Sequence, residues 1–385
     1  MLQELTVNYS NKRQTRIAVS ALFFLTGLCF ASWASRIPTI QQTLHLSEGE
    51  LGAMLLAPPI GSILSMPIAG MLVSKYGSRS VVFIAGILYV CVLPLLGLTA
   101  NAWQLFSCLL LFGFCGNLTN IAVNTQAVLV EAMYGTSIMA SFHGLWSLGG
   151  FAAAFIGGQM SRFGVVPYQH FLCITVVGIL LVSVAVRFAV SHDTPGSGGK
   201  APLFAWPDKA LMILGVIAFC SMICEGAMFD WSGVYFKKVI GAPLETAGNG
   251  YTAFMCTMAA FRFIADWLMP KLGFKRMLQL SGALTAVGLL IAVLFPHYQT
   301  GIVGFLLVGA GVSSVVPLVY SVAGRSKTLS PEMALAAVST IGYLGFLAGP
   351  PLIGLVAQAT SLRISFSIIA LMGTCIAVMS TRAKE

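Results

Sequence analysis

Apolar runs of about 20 residues, the length a helix needs to cross the hydrocarbon core of a bilayer, recur along the entire chain. No other feature constrains its fold as strongly. Twelve such runs can be drawn in the 385 residues: 17–36, 50–73, 80–99, 103–128, 137–161, 166–190, 209–235, 247–270, 277–296, 301–324, 332–358 and 363–381. The expected fold class is an all-α integral membrane protein with twelve transmembrane helices. Composition agrees, with 57% hydrophobic and 9% charged residues, where a soluble domain carries about 25% charged residues. Mean hydropathy is +0.89.

Lys12, Arg13 and Arg16 precede the first run. That run is too long for a signal-peptide core and is followed by further spans, so it reads as the first transmembrane helix. With the N-terminus inside, 15 Lys/Arg fall on the inner side and 5 on the outer, with Arg262 left within a span. This bias is the topology signal of inner-membrane proteins and places both termini in the cytoplasm. The net charge of +9 therefore sits at the ends of spans and calls for no nucleic acid. The nine cysteines all lie in apolar runs without a CxxC pair. They read as small apolar fillers, and no metal site or cofactor is expected.

The two halves of the chain look like copies. Ser32-Trp33 matches Asp230-Trp231, the stretch around Gly77 matches that around Gly273, and the apolar runs ending at Gly113 and Gly157 match those ending at Gly309 and Gly354. The offsets are 198, 196, 196 and 197 positions. Parallel six-helix repeats are a transporter architecture. Residues 1–190 and 209–385 are the two expected bundles, and 191–208, rich in Gly, Pro and Ser, is the expected cytoplasmic linker.

Over essentially its whole length the chain resembles the major facilitator superfamily. The loop after span two, from Gly70 through Leu72, Lys75 and Gly77 to Arg79, is similar to the superfamily signature G-x-L-x-D-R-x-G-R-R. The resemblance implies a gating role for Lys75, Gly77 and Arg79; Ser74 stands where the family usually has the Asp of its latch. "ASWASRIPTI", "FHGLWSLGG" and "EGAMFDWSGVY" resemble the bacterial fucose permease-like sugar:proton symporters. The Gly-Pro motif of the drug-efflux branch is missing from span five, where Ala153 and Ala154 follow Gly150.

Charged residues inside spans are the first functional candidates. A carboxylate near the bilayer centre costs about 2.5–3.5 kcal/mol on insertion scales. Glu225, near mid-span, is the candidate proton carrier, and Asp230, nearer the outside, the candidate for a substrate hydrogen bond or the outer gate. Five helical steps set them about 140° apart. Arg262 and Asp266 have the i, i+4 spacing of an intrahelical ion pair and read as gating or structural. Trp33 and Arg36 end span one. Because spans one and seven are repeat mates near the axis of this fold, Arg36 is a candidate partner for Asp230.

Polar and aromatic candidates for the substrate follow. Asn117, Asn120 and Asn124 lie within about 60° on one face of span four. Their amides can bind hydroxyl-rich solutes or join helices. His143 and Trp146 at i, i+3 can stack on and bond a sugar ring, as can Trp231. Tyr320 and Tyr343 offer hydroxyls. The glycine-rich spans five and eleven suit close, sliding helix contacts.

No phosphate-binding Gly-rich loop, nucleotide domain or nucleophile–base pair appears, which argues against an ATP-driven pump and against an enzyme. The leading expectation is a monomeric secondary transporter in the bacterial inner membrane. It moves a small polar solute, a sugar or sugar derivative, by proton-coupled symport. Its partners are that solute, protons and membrane lipid. Proton-coupled efflux of amphipathic compounds is the alternative, and a membrane sensor is a third.

Overall fold

The computed structural model describes residues 12–135, 138–191, 208–326, 328–329 and 331–383, apart from the side chains of residues 140, 266, 331–333 and 336. Residues 192–207 of the expected linker lie outside that description, as do Lys327 and Lys384.

Fourteen helices make up the described chain: α1 (Lys12–Thr43), α2 (Glu48–Met54), α3 (Ala57–Tyr76), α4 (Ser78–Gly97), α5 (Ala102–Tyr134), α6 (Met139–Arg162), α7 (Pro167–Phe188), α8 (Lys209–Lys238), α9 (Leu244–Ala247), α10 (Asn249–Leu294), α11 (Tyr298–Val312), α12 (Val315–Ala323), α13 (Pro331–Ala359) and α14 (Leu362–Met379). A helix satisfies its own backbone, as a segment surrounded by lipid must. Ten segments are long and apolar enough to cross a membrane. The polar α6 and the first part of α10, which carries Arg262, complete twelve passes. These two are less apolar because they pack against each other between the halves, where polar side chains find partners other than lipid.

The expected spans 247–270 and 277–296 are two helices that meet within α10 at Gly273, whose backbone leaves helical geometry (φ 73°, ψ 161°). Gly77, its repeat mate, has φ 78° and ψ 149° and is the joint between α3 and α4. Both lie in a region of backbone space open almost only to glycine. Each therefore turns the chain with a single residue.

The first six passes pack together, with α1 against α6 and α3 against α5, and the last six likewise, with α10 against α11 and α8 against α13. Glycine permits the tight α1–α6 contact. A Cβ at Gly27 would collide with the Trp146 carbonyl, and one at Gly149 with that of Phe24.

Ties between the halves gather at the end where α1 and α8 finish. Lys238 Nζ lies 2.5 Å from Glu48 Oε1, Lys237 donates to Gln42 Oε1, and the Ser161 hydroxyl donates to Leu244 O at 3.4 Å. At the end where the described chain starts, ties run within a half. Arg79 Nε donates to Val186 O at 2.8 Å, and the Thr328 hydroxyl donates to Asp208 Oδ2 at 2.6 Å.

Candidate functional site

The middle of the molecule, where α6, α8 and α10 meet, brings together the charges that the spans carry. Arg262 on α10 donates from Nη2 to Glu225 Oε1 on α8 at 3.2 Å. Its Nη1 donates to Ser147 Oγ on α6 at 2.5 Å. The guanidinium carbon lies 5.7 Å from the centre of the Trp146 ring, a cation–π distance. One arginine thus joins a carboxylate of its own half to a hydroxyl and an indole of the other half.

The expected Arg262–Asp266 pair involves a side chain, that of Asp266, outside the described residues. Among the described residues the guanidinium reaches across to Glu225 and Ser147.

Asp230 is buried and, among the described residues, forms no hydrogen bond or ion pair. The expected Arg36–Asp230 pair is not present. Arg36 instead donates to Val165 O and, at 3.5 Å, to Gly157 O. Gly157 lies towards the end of α6 and Val165 just beyond it, at the negative end of the helix dipole, where carbonyls suit a guanidinium. Tyr251 is an electrostatic neighbour of both Asp230 and Glu225, and its hydroxyl is buried without a partner.

The amides divide between contacts across helices and contacts within one. Asn117 Nδ2 donates to Ser62 O at 3.0 Å and to Ser65 Oγ at 2.8 Å, tying α5 to α3. Asn124 Nδ2 donates to Asn120 O at 2.8 Å and to Asn120 Oδ1 at 3.2 Å, within one helix. Asn120 and Asn124 remain half-buried. Gln126, fully buried, bonds Ser78 Oγ at 2.7 Å and both backbone groups of Val190.

The aromatic candidates divide. Trp33 and Trp231, 1% and 0% exposed, are sealed in the core. Trp146 is half-buried and His143 exposed, with the His143 ring edge-on to Phe23 at 5.3 Å. The Tyr343 hydroxyl donates to Pro59 O across the halves at 3.4 Å, and that of Tyr320 lies beside Ser339. Lys75 lies over the neighbouring Tyr76 ring, Gly77 is the joint described above, and Arg79 caps the end of α7.

Two features escaped the reading of the sequence. Ser147 sits beside Trp146 in "FHGLWSLGG", where a serine among glycines carries no signal of its own. Phe229, between Glu225 and Asp230, is the hub of an aromatic cluster drawn from both halves. Its ring lies 5.1 Å from Phe30, 6.1 Å from Trp146, 5.7 Å from Phe254, and 6.4 Å from both Tyr251 and Phe346. Its place in "EGAMFDW" was the available clue.

Known proteins share this architecture. The chain is 35% identical over 363 residues to an uncharacterized MFS-type transporter of Yersinia pestis, covering 94% of this chain and 93% of that one. It is 30% identical over 372 residues to the membrane protein MosC of Rhizobium meliloti, covering 96% and 90%. Among solved structures, a mutant of the nucleoside transporter NupG superposes with a TM-score of 0.75 at 13% identity, covering 96% of this chain and 99% of that one. The sequence model of the Major Facilitator Superfamily matches residues 19–251 and again 216–383. The chain is a transporter and belongs to the Major Facilitator Superfamily.

Proposed function

We propose that this transporter couples solute movement to protons through Glu225, with the solute bound where Glu225, Arg262, Ser147 and Trp146 meet. The observation that carries the reading is the 3.2 Å Glu225–Arg262 pair whose arginine also holds Ser147 of the opposite half. Protonating Glu225 removes one end of that bridge. The balance between inward- and outward-open states then shifts with proton occupancy, as a coupling carboxylate requires. Asp230, beside Tyr251 and nearer the end where α1 and α8 finish, is the second carboxylate of the pathway.

The leading substrate class is a small polar solute, a sugar or sugar derivative, taken up by symport. The support is the resemblance of the spans carrying Trp33, His143 and Glu225 to fucose permease-like symporters, and the half-buried Trp146, Asn120 and Asn124. We place the protein in a bacterial inner membrane as a monomer, with both termini cytoplasmic and the halves divided near 191–208. A second reading, efflux of amphipathic compounds, is favoured by the aromatic cluster around Phe229.

Uptake into proteoliposomes, followed with an internal pH dye, tests the coupling. Solute-dependent proton entry with a hexose or a sugar acid, absent in Glu225→Gln, is the expected result. Proton movement only with lipophilic cations selects efflux, and a Glu225→Gln variant that still moves protons with its solute refutes the coupling role.

A further inference from the structure

The Glu225–Arg262 pair also bears on the charge of the solute, an inference that rests on Glu225 being the proton carrier. Arg262 has five N–H donors. Nη1 serves Ser147 and Nη2 serves Glu225, while Nε is shut off from solvent without a partner. The Arg262 and Glu225 side chains stay 16% and 12% exposed, so neither is wholly sealed in the core.

Other titratable groups face the pair. The side chain of Asp266, one turn from Arg262, lies outside the described residues. Among those described, the groups are His143 on α6, Tyr251 on α10 and Tyr320 on α12, with Asp230 on α8 beside Tyr251. None of these forms an ion pair with Arg262; among the described residues that role falls to Glu225. When Glu225 takes up a proton, the guanidinium is left in a poorly solvated place without a counter-charge among the described residues, a strongly unfavourable state. A neutral sugar cannot supply the missing charge. A planar oxyanion can, because it matches the guanidinium fork and accepts two parallel bonds. The Nε–Nη2 edge has an N–H to spare for the second bond. The rings of Trp146 and Phe229, 6.1 Å apart, offer an apolar wall to whatever body the anion carries.

We propose that the transported solute is a small monovalent oxyanion that binds the Nε–Nη2 edge of Arg262 in exchange for the Glu225 carboxylate. Proton and anion then enter the site together, and their stoichiometry is one to one because each makes the other tolerable. No covalent step is involved. A carboxylate and nitrate share this chemistry, and the test separates them.

The test is thermal unfolding of the purified full chain in detergent, at pH about 6 and about 8 (the range in which a coupling carboxylate is useful). The probes are benzoate, gluconate and nitrate, with sodium chloride at matched ionic strength and galactose as controls. The expected result is a rise in unfolding temperature on the order of a few degrees with an oxyanion at the lower pH, smaller at the higher pH. Glu225→Gln, a mimic of the protonated site, shows the rise at both pH values. Arg262→Lys keeps the charge but loses the fork and weakens oxyanion binding on the order of tenfold; it is a second readout should the glutamine variant fail to fold. Benzoate or gluconate acting alone identifies an organic acid, and nitrate acting alone an inorganic ion. Galactose matching or exceeding every oxyanion overturns the proposal, as does an anion effect untouched in Arg262→Lys, or no oxyanion effect beyond chloride. Proton entry with galactose that is lost in Glu225→Gln would leave the coupling role intact while overturning the anion, so the two readings fail separately.

Discussion

Arg262 reaches two elements at once, and each contact answers to a different substitution. Ser147→Ala removes the hydroxyl of the opposite half but leaves Glu225 in place. A hydrogen bond to a charged group is worth about 1.5–3 kcal/mol. The expected outcome is a change in solute KM with proton coupling preserved, read by dye-monitored uptake. Asn117→Ala is the contrasting case. Its amide joins α5 to α3 through Ser62 and Ser65, so the variant loses about 1–3 kcal/mol of stability and lowers the unfolding temperature, with solute KM unchanged. At this scale the sequence was informative where it broke its own pattern. Glu225, Asp230 and Arg262 stood out as charges within apolar runs. Their partners did not, because Glu225 and Arg262 are 37 positions apart and local spacing pointed to Asp266. Of the three asparagines on one helix face, Asn117 ties α5 to α3 while Asn120 and Asn124 bond each other within α5, a difference in use that spacing cannot show.

Helix ends and joints carry the predictions for the elements. Gly77→Ala and Gly273→Ala force a Cβ into a backbone region it avoids, at about 1–3 kcal/mol each. At Gly273 a Cβ would meet no atom within 4 Å, so the loss measured by thermal unfolding is conformational. Asp208 begins α8 by accepting the Leu211 N–H at 2.8 Å, and it also accepts from the Thr328 hydroxyl. These bonds hold its carboxyl below the ordinary range. The cap therefore acts in full above the ordinary carboxylate pKa of about 3.9 and is lost as pH falls through the lowered folded value. Asp208→Ala is expected to cost about 1 kcal/mol near neutral pH, and the difference from wild type disappears in acid. Spans were legible because hydrocarbon thickness sets their length. The angle between the two helices of α10 was not, since it depends on the dihedral angles of Gly273.

For the whole molecule, the end where α1 and α8 finish is tied by an ion pair between the two halves. Lys238 and Glu48 form an exposed ion pair, worth about 0–1 kcal/mol, enough to tilt a two-state balance. Lys238→Glu sets two like charges face to face and is expected to open this end, raising its labelling by a membrane-impermeant reagent and lowering transport. The double exchange Glu48→Lys with Lys238→Glu restores both; failure of that restoration would detach the pair from gating. The constant offset between halves was visible in the sequence, because duplication leaves the same residues at the same interval. Which faces close on each other was not, since it depends on contacts between residues about 190 positions apart.

The two glycine joints have a consequence for descent. Their dihedral angles differ by only 5° in φ and 12° in ψ, although the flanking residues are Tyr76 and Ser78 in one and Leu272 and Phe274 in the other. Side chains have diverged around a conserved bend. An ancestral six-helix unit that already possessed the bend, before its gene was doubled and fused, accounts for both. A present-day half would then inherit its hinge from a time when two separate copies had to meet as equals.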